Sequence, residues 1–151
     1  MSRISRRVAL FVSLSVATLA HAGAARADDC KRIRAEINLD DGTIQGNFGL
    51  DGTVVFVEDG AGEAPDTAPP GSSVFSGILT ITTSRGTITM RETGMFSART
   101  GNPAGFVLTS WGDGASGTGR YSSVVGGDLF FSGRIIDDAF LVDVTGELCT
   151  S

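Results

Sequence analysis

The chain has 151 residues, enough for one domain with a single hydrophobic core. It carries 12 basic and 17 acidic residues, a net charge of −5, and this acidic balance disfavours nucleic acid as a partner. The only histidine, His21, falls in a predicted leader. The folded domain is therefore expected to lack Ser-His-Asp catalysis, Cys-His catalysis and histidine metal sites.

Residues 1–27 are typical of an export signal. They begin with the basic stretch RISRR at 3–7, continue as an apolar run at 8–20 and end in an A-x-A cleavage site at 25–27. The apolar run is shorter than the roughly 20 residues that a membrane span needs. We predict a signal cleaved after Ala27, with a retained anchor as the alternative. The adjacent arginines Arg6 and Arg7 leave twin-arginine export open beside the general secretory route.

Cleavage of this signal would leave residues 28–151 as a single exported domain, periplasmic or secreted. Removing 27 of the 151 residues leaves 124, with eight basic and 17 acidic side chains and a net charge of −9. Such a charge repels anionic membranes, so no membrane contact is expected after cleavage. A homo-oligomer is compatible with the sequence but has no specific signal.

The two cysteines, Cys30 and Cys149, stand at the two ends of the predicted domain. In an oxidising compartment an even pair is expected to form a disulfide, with two free thiols as the alternative. Closing a loop on the order of 100 residues is worth about 4–5 kcal/mol in the chain-entropy model. The pairing implies that the first and last strands lie side by side.

Apolar residues recur with a period of two along the domain, notably in 32–39 and 140–148, which is typical of strands with one buried face. Asp-Gly pairs at 41–42 and 51–52 are typical of hairpin turns. The pattern predicts eight strands, at 32–39, 43–48, 53–58, 74–82, 87–93, 104–111, 128–135 and 139–148. No stretch predicts a helix.

Two segments are predicted to be long loops. Residues 59–72 hold three of the four prolines, and residues 111–127 are rich in Gly and Ser and hold the only Trp and the only Tyr. Eight short antiparallel strands with tied ends predict an all-β fold, a single up-and-down barrel, with a two-sheet sandwich as the alternative. A barrel of eight strands either is filled by side chains or holds one small ligand.

Several glycine-bounded motifs resemble the allene-oxide-cyclase-like and dirigent-like barrels, in particular their small exported bacterial members. The motifs are FSGILTIT at 75–82, GTGRY at 117–121, GGDL at 126–129, SG at 132–133 and VTGELC at 144–149. The resemblance covers roughly residues 72–149 and implies an eight-stranded barrel with a central cavity. Relatives of this kind include cyclases and proteins that guide radical coupling, but no catalytic motif of the family maps onto numbered residues here.

Several charged and aromatic residues are candidates for a ligand site, provided that they meet at one mouth of the barrel. They are Trp111, Asp113, Arg120, Tyr121, Arg91 and Glu92, together with Glu58. An acid in an apolar pocket would have a raised pKa and could transfer a proton. The alternative is that Trp111 and Tyr121 plug the barrel end while the charges face water.

The sequence predicts no metal site and no cofactor, because the Asp-Gly pairs lack the further ligands of an EF-hand and no P-loop motif is present. The favoured function is that of a barrel that binds a small apolar ligand. The alternatives are a cofactor-free cyclase or isomerase of the allene-oxide-cyclase-like type and a filled-core structural or interaction protein. Whether it is an enzyme is left open by the sequence.

Overall fold

The computed structural model describes residues 29–97, 106–136 and 139–151. Within these ranges eight antiparallel strands form one closed barrel in chain order. The strands are β1 (Cys30–Asn38), β2 (Thr43–Gly46), β3 (Gly52–Glu63), β4 (Ser72–Thr83), β5 (Gly86–Ser97), β6 (Phe106–Gly117), β7 (Val124–Ile136) and β8 (Ala139–Thr150). The predicted all-β class and eight-stranded up-and-down barrel are confirmed, and the sandwich alternative is excluded.

The predicted signal at 1–27 and its cleavage site lie outside the described residues. In the part of the chain that the structure describes, no helix has the length and apolar character needed to cross a membrane.

The first and last strands close the barrel. Their register runs from Cys30 opposite Cys149 to Asn38 opposite Leu141, so β1 pairs with β8 over its whole length. A disulfide joins Cys30 to Cys149 and confirms the predicted pairing. Since each of these strands has a partner on both sides, neither leaves the open edge that promotes aggregation.

The two predicted long loops are shorter than expected. Strand β3 continues to Glu63, which leaves 64–71 as the loop, and β6 continues to Gly117, which leaves 118–123 before β7. Pairing explains the second difference, because Gly112 of β6 lies between Glu92 of β5 and Leu129 of β7 and extends both ladders. The weak strand propensity of Gly and Ser is overridden by neighbouring strands.

Buried and exposed side chains alternate along the strands, and the buried ones form the core. On β5, Ile88, Met90 and Glu92 are buried, whereas Arg91 and Thr93 between and after them are exposed. The other strands supply a core of mostly branched aliphatic side chains, including Ile33, Ile37, Ile44, Ile81, Leu129, Val142, Val144 and Leu148.

The two ends of the barrel differ. One end, called the closed end below, carries the Cys30–Cys149 disulfide and the connections at 47–51, 84–85 and 118–123. The opposite end, called the open end below, carries the connections at 39–42 and 64–71.

Candidate ligand-binding cavity

The closed end is plugged by Tyr121. A 3₁₀ turn, Gly119–Tyr121, turns this side chain into the core, where only 1% of the residue is exposed. Its hydroxyl donates a hydrogen bond of 2.7 Å to the carbonyl oxygen of Gly49. Its ring lies beside that of Phe48, with 5.8 Å between centroids, and Leu50 is fully buried nearby in the chain. This end of the interior is therefore filled.

The open end contains a cavity of about 370 Å³, within the usual size range of small-molecule sites. Twelve of the fifteen residues in its wall are apolar. The apolar residues are Ile37, Leu39, Val54, Phe56, Ala61, Val74, Phe75, Leu79, Phe96, Leu108, Phe131 and Val142, and the polar ones are Glu58, Ser73 and Glu92. A cavity with this wall favours an apolar ligand with few polar groups.

The short strand β2 explains part of this space. Within the described residues, β2 pairs with β3 only at Gly52 and Thr53, and one further backbone hydrogen bond joins the Val54 N–H to Gly42. Beyond Val54, β3 runs on for nine residues and pairs with β4. The wall is therefore incomplete on this side, between the end of β1 and the second half of β3.

Two glycines lie in the barrel wall at the level of Glu92. Glu58, Gly77, Glu92 and Gly112 follow one another in register across β3, β4, β5 and β6. The two glycines contribute no side chain to the interior at this level. The ring of Phe56 occupies the space above Gly77, where an added Cβ would lie 2.5 Å from the Phe56 Cζ atom.

Glu92 is the one buried carboxyl group of the described interior. It is 5% exposed, and the hydroxyl of Ser110 on β6 donates a hydrogen bond to its Oε1 atom. Burial raises the pKa of Glu92 above its ordinary value, and the hydrogen bond from Ser110 lowers it by less. The site therefore offers a desolvated acid in an apolar cavity, which can hold a proton or a cation.

Glu58 lies in the same wall, on the same register row as Glu92. It is exposed to solvent, unlike Glu92. Gly77 pairs with Glu58 on one side and with Glu92 on the other, so the two acids are two strands apart. With about 4.8 Å between neighbouring strands, their backbones are roughly 10 Å apart.

Three of the predicted site residues lie on the outer surface of the barrel. The guanidinium group of Arg91 binds Asp59 through two hydrogen bonds, of 2.7 and 3.0 Å, and it lowers the pKa of that carboxyl. Asp113 is exposed opposite Arg91 in the β5–β6 register. Trp111 is 56% exposed and its ring lies 5.0 Å from that of Phe130.

The remaining predicted residues divide between the two ends. Arg120 and Tyr121 belong to the closed end, while Glu92 and Glu58 belong to the cavity wall. The seven candidates therefore do not converge on one mouth.

The sequence reasoning missed the aromatic wall of the cavity and the partner of Glu92. Phe56 and Phe75 contact each other edge to face, 5.5 Å between centroids, and Phe96 completes the aromatic part of the wall. Alternation was the signal that could have identified them, because Phe75 shares a face with the buried Leu79 and Ile81. The contact between Ser110 and Glu92 depends on cross-strand register, which the sequence does not specify.

No group of three or more His, Cys, Asp or Glu side chains in the described ranges has the arrangement of a metal site. Comparison of the chain with protein-family models, with curated proteins and with solved structures gives no match. The resemblance to allene-oxide-cyclase-like and dirigent-like barrels therefore remains a prediction.

Proposed function

We propose that this barrel binds a small, largely apolar molecule in the cavity at its open end. The observation that carries the proposal is the 370 Å³ cavity, with its apolar wall and its single closed end. Transfer of apolar surface from water into such a wall is favourable by about 25 cal/mol per Å². A ligand that filled the space would gain most of its affinity from this burial.

The test is binding of the neutral fluorophore N-phenyl-1-naphthylamine, whose emission rises in an apolar site. Ala61 lies in the wall and is exposed at the mouth, so Ala61→Trp should occupy part of the cavity and weaken binding about tenfold or more. Thr82→Trp is the matched control, because Thr82 is exposed and is absent from the wall. Native mass spectrometry of the protein from its own host should show a small-molecule adduct.

Equal binding by wild type, Ala61→Trp and Thr82→Trp would place the fluorophore elsewhere on the surface. In that case the cavity would have no role in binding and the proposal would fail. Loss of binding in both variants would indicate that a bulky side chain disturbs the fold. Binding of the fluorophore by Phe56→Ala, a truncation in the wall, would then be measured, and an affinity equal to that of the wild type would count against the cavity as the site.

A second candidate is a cofactor-free isomerase or cyclase, favoured by the desolvated carboxyl group of Glu92 in the cavity. In this function Glu92 would take a proton from a carbon of the ligand and return it at another position. Decan-2-one in D₂O provides the test, since proton transfer would exchange deuterium into the carbons beside its carbonyl group. Exchange that is unchanged in Glu92→Gln would contradict a catalytic role for this residue.

The filled-core alternative is less favoured, because a filled core does not account for a cavity of this size. We also propose export through the signal at 1–27, for which the disulfide offers support, since such bonds persist in oxidising compartments. Lys substitutions at Arg6 and Arg7 test the twin-arginine route, and unchanged export would exclude it. Membership of the allene-oxide-cyclase-like barrels is likewise a proposal, supported by the closed eight-stranded barrel.

A further inference from the structure

We infer that the preferred ligand of the cavity is an apolar molecule with a basic nitrogen, carried as an ammonium group, rather than a fatty acid or another anion. The inference rests on the proposed function, because it names the ligand class of the same cavity. Its basis is the juxtaposition of Glu58 and Glu92 on one interior row, in a wall whose other described residues carry no charge.

The row gives a cation two acidic partners at different depths. Glu58 is exposed near the mouth, and Glu92 is buried farther in, with only Gly77 between them in register. Gly77 itself has no side chain, and the uncharged ring of Phe56 lies over it in the wall. An ammonium group that enters with its alkyl chain therefore meets one carboxyl group at the mouth and a second one inside.

The surroundings of Glu92 suit a cation better than an anion. Ser110 donates one hydrogen bond to Oε1, whereas a carboxylate can accept about four, and an ammonium group supplies up to three donors. An ionised carboxylate in an apolar wall is costly without a partner charge. A bound cation offsets that cost, whereas a bound anion would add a second unfavourable charge.

Arg91, which adjoins Glu92 in the sequence, does not take this place. Arg91 precedes Glu92 in β5, but its side chain lies on the outer surface and binds Asp59 with hydrogen bonds of 2.7 and 3.0 Å. Its side chain is therefore directed away from the cavity. Among the described residues of the wall, none carries a positive charge that would complement Glu58 and Glu92.

The experiment compares decylamine, decan-1-ol and decanoate, which share one alkyl chain length and differ in charge. Each is titrated at neutral pH against the complex of the protein with N-phenyl-1-naphthylamine, and the fluorophore displaced is measured. The wild type should bind decylamine about tenfold more tightly than decan-1-ol, and decanoate most weakly. Glu92→Gln should lower the affinity for decylamine about tenfold and leave that for decan-1-ol within about twofold.

Two further variants distinguish binding of the amine at the cavity acids from its attraction to the net negative charge of the protein. Glu58→Gln, at the exposed mouth, should reduce the preference for decylamine without any change in interior packing. Glu147→Gln removes an exposed acid from the outside of β8 and should leave the preference as in the wild type. The Glu147 variant is matched to the other two, since all three replace Glu by Gln.

The possible outcomes test the inferred ligand class separately from the proposed function. If decan-1-ol displaces the fluorophore as well as decylamine does, the inferred ligand class is overturned while the proposed apolar-ligand function stands. If the preference for decylamine survives in both Glu92→Gln and Glu58→Gln, it arises outside the cavity and the inference again fails. If no probe displaces a fluorophore shown to lie in the cavity, the inferred ligand class fails, whereas the proposed binding of a small apolar molecule stands on the fluorophore itself.

Discussion

The hydroxyl of Ser110 on β6 donates a hydrogen bond to Oε1 of Glu92 on β5, and both residues are buried. The hydrogen bond favours the ionised carboxyl group, but burial opposes ionisation more strongly, and the pKa of Glu92 lies above its ordinary value. The folded protein therefore keeps a proton on Glu92 at pH values where the unfolded chain has released it. The stability that this difference supplies is complete at acidic pH and is lost as the pH rises through the raised pKa.

Replacement of Glu92 by Gln should remove this loss. Gln keeps the size of the side chain and an oxygen that accepts from Ser110, but it has no proton to release. We expect Glu92→Gln to match the wild type in stability near pH 4, close to the ordinary pKa of Glu, and to exceed it by about 1–3 kcal/mol at pH 8. Urea unfolding at the two pH values measures the difference. A gap of the same size at both would show that Glu92 does not titrate in this way.

The disulfide between Cys30 and Cys149 encloses nearly the whole described chain, with a sequence separation of 119. The chain-entropy model assigns about 4–5 kcal/mol to a loop of this order. The double substitution of Cys30→Ala and Cys149→Ala should lower the free energy of unfolding by about that amount. Urea unfolding of the oxidised protein, the reduced protein and the variant tests this, and the last two should agree. Identical midpoints for the oxidised protein and the variant would refute it.

Tyr121 is expected to act on stability rather than on binding. Its hydroxyl donates to the Gly49 carbonyl oxygen at 2.7 Å, and Tyr121→Phe would leave that acceptor without this donor at the closed end. We expect a loss of about 1–3 kcal/mol in the free energy of unfolding. Affinity for N-phenyl-1-naphthylamine should stay the same, because Tyr121 is not in the cavity wall. Weaker binding at unchanged stability would mean that the cavity extends to the closed end.

Trp111 offers a direct check on the outer surface. Because it is 56% exposed and contacts Phe130, its emission should be red-shifted in the folded protein and readily quenched by acrylamide. Trp111→Ala should leave the affinity of the cavity for the fluorophore within about twofold. Blue-shifted emission that is protected when the fluorophore binds would instead place the indole ring at the ligand.

Alternation and turn residues were enough to predict the eight strands and their order. They failed where pairing outweighs local preference, as in the Gly-rich second half of β6, which pairs with β7 at Gly112 and with β5 as far as Gly117. The disulfide was predictable from two cysteines at the ends of the domain, because the closure of an up-and-down barrel brings its first and last strands together.

The cavity was harder to predict from the sequence than the strands were. The period of two that buries Ile88 and Met90 also points Glu92 inward, so alternation alone is enough to place this acid on the apolar face. The depth of the cavity depends on which positions share one row, and a residue of register shift would exchange the two faces. The outward position of Trp111 follows from the same register, which local composition does not determine.

The plug formed by Tyr121 and its neighbours at the closed end has a kinetic consequence. Because this end is filled, an incoming molecule cannot push out a resident one from behind. Exchange has to begin with departure, and the rate at which one occupant replaces another should reach a ceiling as the competitor becomes more concentrated. That ceiling is the dissociation rate of the first occupant, and side chains at the mouth such as Phe56 and Phe96 would set it.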